Sequence, residues 1–212
     1  MTVTIVYVFP HIALPTYEPL ARRFVQSYMD NPPGGHDHKI KVVINGGIKG
    51  PFHDKLFSPL APEFVSHNND GRDIGAFQYA AGLFNCDLMV CLGSHVHFER
   101  PGWLDLIVRA YEGNGPALYG AYAFREPTNH IRTTNFWMPP QILQSYPHHI
   151  SDSQRYMFEH GGEHSFTSHT NNMGFPCYQL TWNGVFAVQH WHHPARGDAL
   201  LLDQHTDRIP WI

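Results

Sequence analysis

Apolar and polar positions change spacing along the chain in a way that marks out its elements. Val3 to Phe9 is a β-branched and aromatic run that predicts a core strand, and Pro10 removes a backbone donor and stops it. From about Tyr17 to Met29 the apolar residues Leu20, Phe24, Val25 and Tyr28 share one helical face, with Arg22, Arg23 and Gln26 elsewhere; Asn31-Pro32-Pro33-Gly34-Gly35 ends that helix. Lys39 to Ile44 predicts a second strand, turned by Asn45-Gly46-Gly47. Ile48 to Pro62 is punctuated by Gly and Pro and reads as a loop, and Glu63 to Ser66 as a short third strand. Between Asp73 and Phe84, Ile74, Phe77, Ala81 and Phe84 recur at helical spacing. Asp87 to Leu92 is nearly all apolar, the pattern of a strand covered by helices on both faces. Trp103 to Tyr111 predicts a helix after Pro101-Gly102, and Ala117 to Tyr122 another strand.

This βαβαβαβ alternation predicts an α/β fold: an open, Rossmann-like sheet flanked by helices, with ligands outside the carboxyl ends of its strands. Further on, Thr133 to Met138 reads as a strand, Pro139-Pro140 as the start of a short helix, and Trp182 to Val188 as a late strand. His148 to Cys177 is polar and rich in His, Ser, Thr and Asn, and no internal repeat stands out. A chain of 212 residues suits one domain, 1–212, with a first half (1–122) and a second half (123–212). Arg208 to Ile212 end without a polar tail, which fits either a natural end packed on the core or a piece cut from a longer protein.

Composition narrows the classes. A hydrophobic share of 42% with 15% charged residues describes a globular protein rather than a disordered one. The net charge of −4 and scattered basic residues give no footprint for nucleic acid. Three cysteines cannot all pair, and Cys86 and Cys91 bracket an apolar strand as small core residues, which fits a reducing, cytoplasmic setting. The first residues lack the basic region and cleavage site of a signal peptide and the length of a membrane span.

The candidate chemistry lies between two predicted strands, in Asn68-Asn69-Asp70-Gly71-Arg72-Asp73-Ile74-Gly75, and after the second of them, in Gly93-Ser94-His95-Val96-His97. Two readings stand for the first motif. Either Arg72 orients phosphate and Asp73 accepts hydrogen bonds from sugar hydroxyls, or Asp70-Gly71 makes a turn, Asp73 caps the helix and Arg72 is solvated. For the second motif, histidines at i and i+2 on extended backbone point the same way and can share a metal, zinc or manganese by ligand type. The alternative makes His95 and His97 polar turn residues, or gives one of them a direct hydrogen bond to phosphate. His190 or His192, in the densest late cluster, can complete the shell; with 17 histidines in the chain, His148, His149, His160, His164 and His169 read as surface-loop residues.

From Asn69 to Leu104, the Asn-Asp-Gly-Arg-Asp-Ile-Gly motif, the apolar strand, the Ser94 to His97 segment and Pro101-Gly102-Trp103-Leu104 resemble glycosyltransferases of the GT-A fold. The likeness is strongest to rhamnan-synthesis-type enzymes; length and pattern are also similar to viral domains that glycosylate a capsid protein. The resemblance implies a mixed, mostly parallel central sheet flanked by helices. It implies a UDP-sugar donor held by Pro10, His11, Asn69, Arg72, Asp73 and Ser94, with a divalent metal, Mn2+ or Mg2+, at the Ser94 to His97 position, where His95 and His97, together with His190 and His192, are the candidate ligands read from the residues. It further implies a glycan or glycoprotein acceptor, viral or cell-surface, and a sugar such as rhamnose or another hexose, transferred with retention. The Asp-x-Asp usual in those enzymes is missing where Ser94 to His97 stand. No catalytic base is legible; Asp198 and Asp203 are late carboxylates without a motif. Competing readings are a non-catalytic carbohydrate-binding module, from an aromatic share of 14%, and a metal-dependent hydrolase, from the histidines.

Overall fold

The first strand, β1 (Val3–Pro10), is buried along nearly its whole length because both of its faces are covered. Val3, Ile5, Tyr7 and Phe9 enter one core, while Val6 and Val8, on the opposite side of the pleat, enter another. The computed structural model describes residues 1–125, 128–204 and 206. β1 lies between β2 (His38–Asn45) and β4 (Leu88–Leu92), parallel to both, and β3 (Glu63–His67) extends β2 at the edge. On the far side of β4 the order continues through β8 (Asn135–Met138), β5 (Leu118–Gly120), β9 (Cys177–Thr181) and β10 (Gly184–Ala187). β8 is antiparallel to both β4 and β5, and β10 is antiparallel to β9, so six strands run one way and β8 and β10 run back. The sheet is therefore mixed and mostly parallel, as the alternation predicts. A two-stranded ribbon, β6 (Ala123–Phe124) with β7 (His130–Ile131), stands apart from it.

Helices cover both faces. On the side of Tyr7 and Phe9 lie α1 (Leu14–Asp30), α2 (Pro51–Phe57) and α4 (Trp103–Asn114), which bury Phe24, Tyr28, Phe57, Trp103 and Ile107. On the side of Val6 and Val8 lie α3 (Arg72–Leu83), α5 (Pro140–Gln144), α6 (Arg155–His160) and α7 (Phe166–Asn172), which bury Phe77, Ile142, Phe158 and Phe166. Among the described residues no helix is long and apolar enough to cross a membrane.

Two expectations are corrected, and a stretch given no element gains two helices. The loop expected over 48–62 contains α2, started by Pro51 and followed by a 3-10 turn at Ser58–Leu60; Leu56, Phe57 and Leu60 bury one face of it. The polar stretch 148–177 contains α6 and α7. The late strand expected over Trp182 to Val188 is shorter, β10 alone, and is the return of a hairpin whose first strand is β9. The terminal residues Arg208 to Ile212 lie outside the described ones.

Two glycines of the motif are needed for contact. A Cβ on Gly71, whose φ is +66°, would lie 1.9 Å from the Ile150 carbonyl oxygen, and one on Gly75 would lie 1.9 Å from the Asp70 carbonyl oxygen. Gly75→Ala is therefore expected to destabilise the protein by about 1–3 kcal/mol through forced backbone movement. Gly82→Ala, on the exposed side of the same helix with nothing within 4 Å of the added atom, should stabilise by about 0.4–1 kcal/mol. Urea unfolding of both variants checks the pair; equal stabilities would contradict the packing account.

Candidate active site

The carboxyl ends of β1, β2 and β4 open into a cleft of about 570 Å³. Pro10 ends β1 in register with Asn45 of β2, and both residues line the cleft. Asn69, Arg72 and Asp73 enter from the turn between β3 and α3, and Ser94 and His95 from the turn after β4. The opposite wall comes from the second half of the chain: Arg132, Thr133 and Thr134 before β8, then Asp152, Arg155, Glu159 and Asp203. A second hollow of about 650 Å³, lined by His67, Asp70, Gln78, Gln144 and His149 among others, is a more open groove beside α3 and α5.

The turn before α3 is conformationally unusual. Asn69 (φ 74°) and Arg72 (φ 52°) flank Gly71 in the left-handed region. Asn tolerates that region; Arg does so at a cost, and such residues persist where surrounding contacts hold them, commonly at functional sites. Arg72 Nε lies 3.2 Å from Asp152, with both side chains more than half exposed, so the pair is solvated and weak. Arg155 is paired with Asp73, and both are largely buried. The Arg155 Nε is itself buried and has no hydrogen-bond partner among the described residues, an unfilled donor on the cleft wall.

The turn after β4 is fixed by its surroundings. Gly93 N donates to the Thr134 carbonyl at 2.7 Å, and a Cβ there would lie 2.8 Å from that oxygen. The buried Tyr7 hydroxyl donates to the Ser94 carbonyl at 3.2 Å, and Arg23 donates to the His95 carbonyl at 3.3 Å. Burial holds the Tyr7 phenol far above its ordinary pKa, so it remains a donor. Asp203, fully buried, accepts from the Thr134 hydroxyl at 2.8 Å.

Glu159 is the most perturbed carboxyl of the cleft. Burial alone would raise its pKa, yet the hydrogen bonds from His160 and Thr133, with the charge of Arg132, outweigh it and bring the value from 4.5 to about 2. Its Oε2 accepts from the Thr133 backbone N–H at 2.8 Å and from the Thr133 hydroxyl. Its Oε1 faces His160 Nε2 at 3.0 Å. A carboxylate so held is ionised across the working range and a poor proton acceptor.

Of the residues expected to hold a donor, Pro10, Asn69, Arg72, Asp73 and Ser94 line this one cleft. His11 does not: its ring turns toward α2, where His53 Nε2 lies 3.2 Å from its Nδ1. The four histidines expected to share a metal are not brought together. Ser94 and His95 form a turn rather than extended backbone, so the i, i+2 rule fails there. His95 reaches the cleft, whereas His97 is buried behind it in a backbone bridge to Leu202. His190 ends a 3-10 turn after β10, and His192 lines a separate hollow with Phe124 and Trp191. Among the described residues the group of metal-capable side chains that does assemble is His130, Glu159 and His160. Ser94 and His95 alone do not make a metal shell at the end of β4.

Arg132, Thr133, Asp152, Arg155 and Glu159 were not legible as site residues, because the segment that carries them shows no donor motif. One signal was present: Ser151 and Gln154 form a capping box that opens the turn into α6.

No protein-family model matches the chain. No curated protein matches it either. Solved structures do match in fold. A mannosyltransferase from Pyrobaculum calidifontis in complex with GDP-Man and Mn2+ superposes with a TM-score of 0.57 at 11% identity, over 84% of this chain and 54% of that one. The chain thus spans about half the length of that protein. Mouse xyloside xylosyltransferase 1 gives 0.54 at 8% identity, covering 85% of each chain. CMP:2-keto-3-deoxy-manno-octonic acid synthetase complexed with CTP gives 0.54 at 9%, over 84% of this chain and 88% of that one. The fold is the α/β GT-A type shared by glycosyltransferases and nucleotide-sugar synthetases.

The depressed Glu159 pKa has a defined consequence for stability. The unfolded chain binds this proton at about pH 4.5 and the folded chain only near pH 2, so the contribution is complete above the first value and is lost as pH falls toward the second. Glu159→Gln should cost about 1–3 kcal/mol at pH 7 and flatten the decline between those two values. Urea titrations at pH 7, 4 and 3 measure both; an unchanged acid slope in the variant would assign the decline to other carboxylates.

Proposed function

We propose that the chain is a glycosyltransferase that uses a nucleoside diphosphate sugar as donor. The observation that carries the reading is the convergence of Pro10, Asn69, Arg72, Asp73 and Ser94, drawn from three separate stretches of sequence, on one cleft at the strand ends. Pro10, Ile12 and Asn45 at the ends of β1 and β2 form the base and ribose side. Arg72, Arg132 and Arg155 supply the positive charge that a diphosphate requires.

In the transfer, the bond between the anomeric carbon and the diphosphate oxygen breaks, a bond to an acceptor hydroxyl oxygen forms, and the hydroxyl proton passes to the departing diphosphate or to solvent. Negative charge grows on the departing diphosphate, so the guanidinium groups stabilise the transition state more than the bound donor. Arg72 and Arg155 already occupy the cleft in ion pairs, and an incoming diphosphate exchanges one anionic partner for another. No step is routed through a metal at the end of β4, where no group of metal-capable side chains assembles among the described residues. The second half of the chain, which builds the far wall, is assigned to the acceptor. The motif likeness further supports a uridine donor, rhamnose or another hexose as the sugar, and a viral or cell-surface glycan as acceptor.

Nucleotidyl transfer is the rival that the fold also accommodates. Wrapping a triphosphate commonly relies on a glycine-rich loop after the first strand, and here no glycine precedes Gly34. β1 instead runs through Pro10 into a 3-10 turn at His11–Ala13 and then α1.

Calorimetry and thermal shift with UDP, UDP-sugars, CTP and free sugars test the reading. A uridine or other nucleoside diphosphate is expected to bind, and Arg72→Ala and Arg155→Gln to weaken it by at least ~10-fold, about 1.4 kcal/mol, the first with melting temperature held and the second, which unpairs Asp73, in protein shown to be folded by circular dichroism. Absence of binding by every diphosphate sinks the proposal. Condensation of a nucleoside triphosphate with a sugar phosphate would establish nucleotidyl transfer, and binding of free sugars alone a carbohydrate-binding module.

A further inference from the structure

We propose that His130, Glu159 and His160 form a binding site for one divalent transition-metal ion, tying the β6–β7 ribbon to α6 beside the cleft. The site is argued from its own geometry and does not rest on the donor reading. One ligand atom from each residue lies within 4.8 Å of the other two. Two imidazoles and a carboxylate suit zinc, cobalt or manganese better than magnesium or calcium.

The tautomer of His130 is settled by its neighbour. Its Nδ1 lies 2.7 Å from the Thr128 carbonyl oxygen, which can only accept, so Nδ1 carries the hydrogen and Nε2 presents a lone pair. A backbone carbonyl behind a ring nitrogen is the usual outer support of a metal-bound histidine. The ring is buried, is stacked by Phe124 with planes 20° apart, and meets the His160 ring edge-on at 4.4 Å. Burial also lowers its pKa, which keeps it in the neutral form that binds metals.

Glu159 is equally committed. Thr133 occupies Oε2 with two hydrogen bonds, which leaves Oε1 directed at His160 Nε2, 3.0 Å away. Two ligands each about 2.1 Å from one ion stand roughly 3.0–3.4 Å apart in octahedral or tetrahedral shells. An ion can therefore take the place of the proton now shared by Glu159 and His160 with little movement. Arg132, the nearby cation, favours the ionised carboxylate from its other side. Because Glu159 and Arg155 share α6 and both line the cleft, a bound ion would fix the wall that presents Arg155.

The test uses the whole chain, stripped with chelator and titrated with Zn2+ or Co2+ by calorimetry and metal analysis. One equivalent is expected to bind tightly. His160→Gln, with folding checked by circular dichroism, should weaken it by at least ~100-fold, while His190→Ala/His192→Ala leaves it unchanged. Should His160→Gln fail to fold, anomalous scattering at the zinc edge from a crystal of the unaltered protein decides, with the ion expected against His130 Nε2 and Glu159 Oε1. No tight equivalent, an ion located elsewhere, or full binding by folded His160→Gln would each overturn the proposal.

Discussion

The close approach of Gly71 to the Ile150 carbonyl is the constraint on which the cleft depends. It sets the start of α3 directly against the segment 148–150, with no room for a side chain between them. Gln78, two turns further along the helix, holds the same segment from both sides: its amide donates to the His148 carbonyl, and its oxygen accepts from the Ile150 N–H. His149 adds a contact to Asp70 at 2.7 Å. With 148–150 so fixed, the chain that follows delivers Asp152, Arg155 and Glu159 opposite the strand ends. The turn that carries Arg72 and the wall that faces it are thus positioned by one packing event.

That explains what the sequence made legible and what it concealed. β1 and β4 were readable because a strand covered on both faces is apolar at successive positions, and α3 because one helical face meets the sheet. α2 was concealed because its Pro and neighbouring Gly, which start the helix, look like loop punctuation when its buried Leu56 and Phe57 have no known partner. The strand-end side of the cleft was legible for the same local reason: strand ends and the turns after them are adjacent in sequence to the strands that position them. The far wall is reached from 60 to 130 residues later in the chain by tertiary contact alone, roughly the separation of Asp73 from Asp203, and no local pattern encodes it. The histidine expectation failed where it assumed extended backbone after Leu92; Gly93 pressed against Thr134, with Tyr7 and Arg23 holding the next carbonyls, bends that backbone instead.

The charged groups of the cleft fall into two physical classes. Arg72 with Asp152 is solvated, and such a pair contributes about 0–1 kcal/mol, so separating it to admit an anion costs little. Glu159 is the opposite case: buried, doubly hydrogen-bonded by Thr133 and facing His160, it is costly to move or to protonate. Arg155 stands between them, paired with Asp73 and yet retaining a buried Nε without a partner among the described residues.

This gradation gives the cleft a fixed side and an exchangeable side. A ligand with several acceptor oxygens can take over the exposed Arg72 and satisfy the orphaned Arg155 donor, gaining charge-assisted hydrogen bonds that the empty cleft lacks. An uncharged sugar could do the second but would leave Asp152 and Arg72 as they are, with no gain from their separation. The exposed Arg72–Asp152 pair is therefore the part of the cleft that an anionic ligand can exchange at little cost, while Asp73, Glu159 and Asp203 keep their own partners or burial. The left-handed Arg72 belongs to the same account: its backbone cost is maintained by Gly71 packing, and what that cost secures is the placement of a solvated guanidinium at the mouth of the strands.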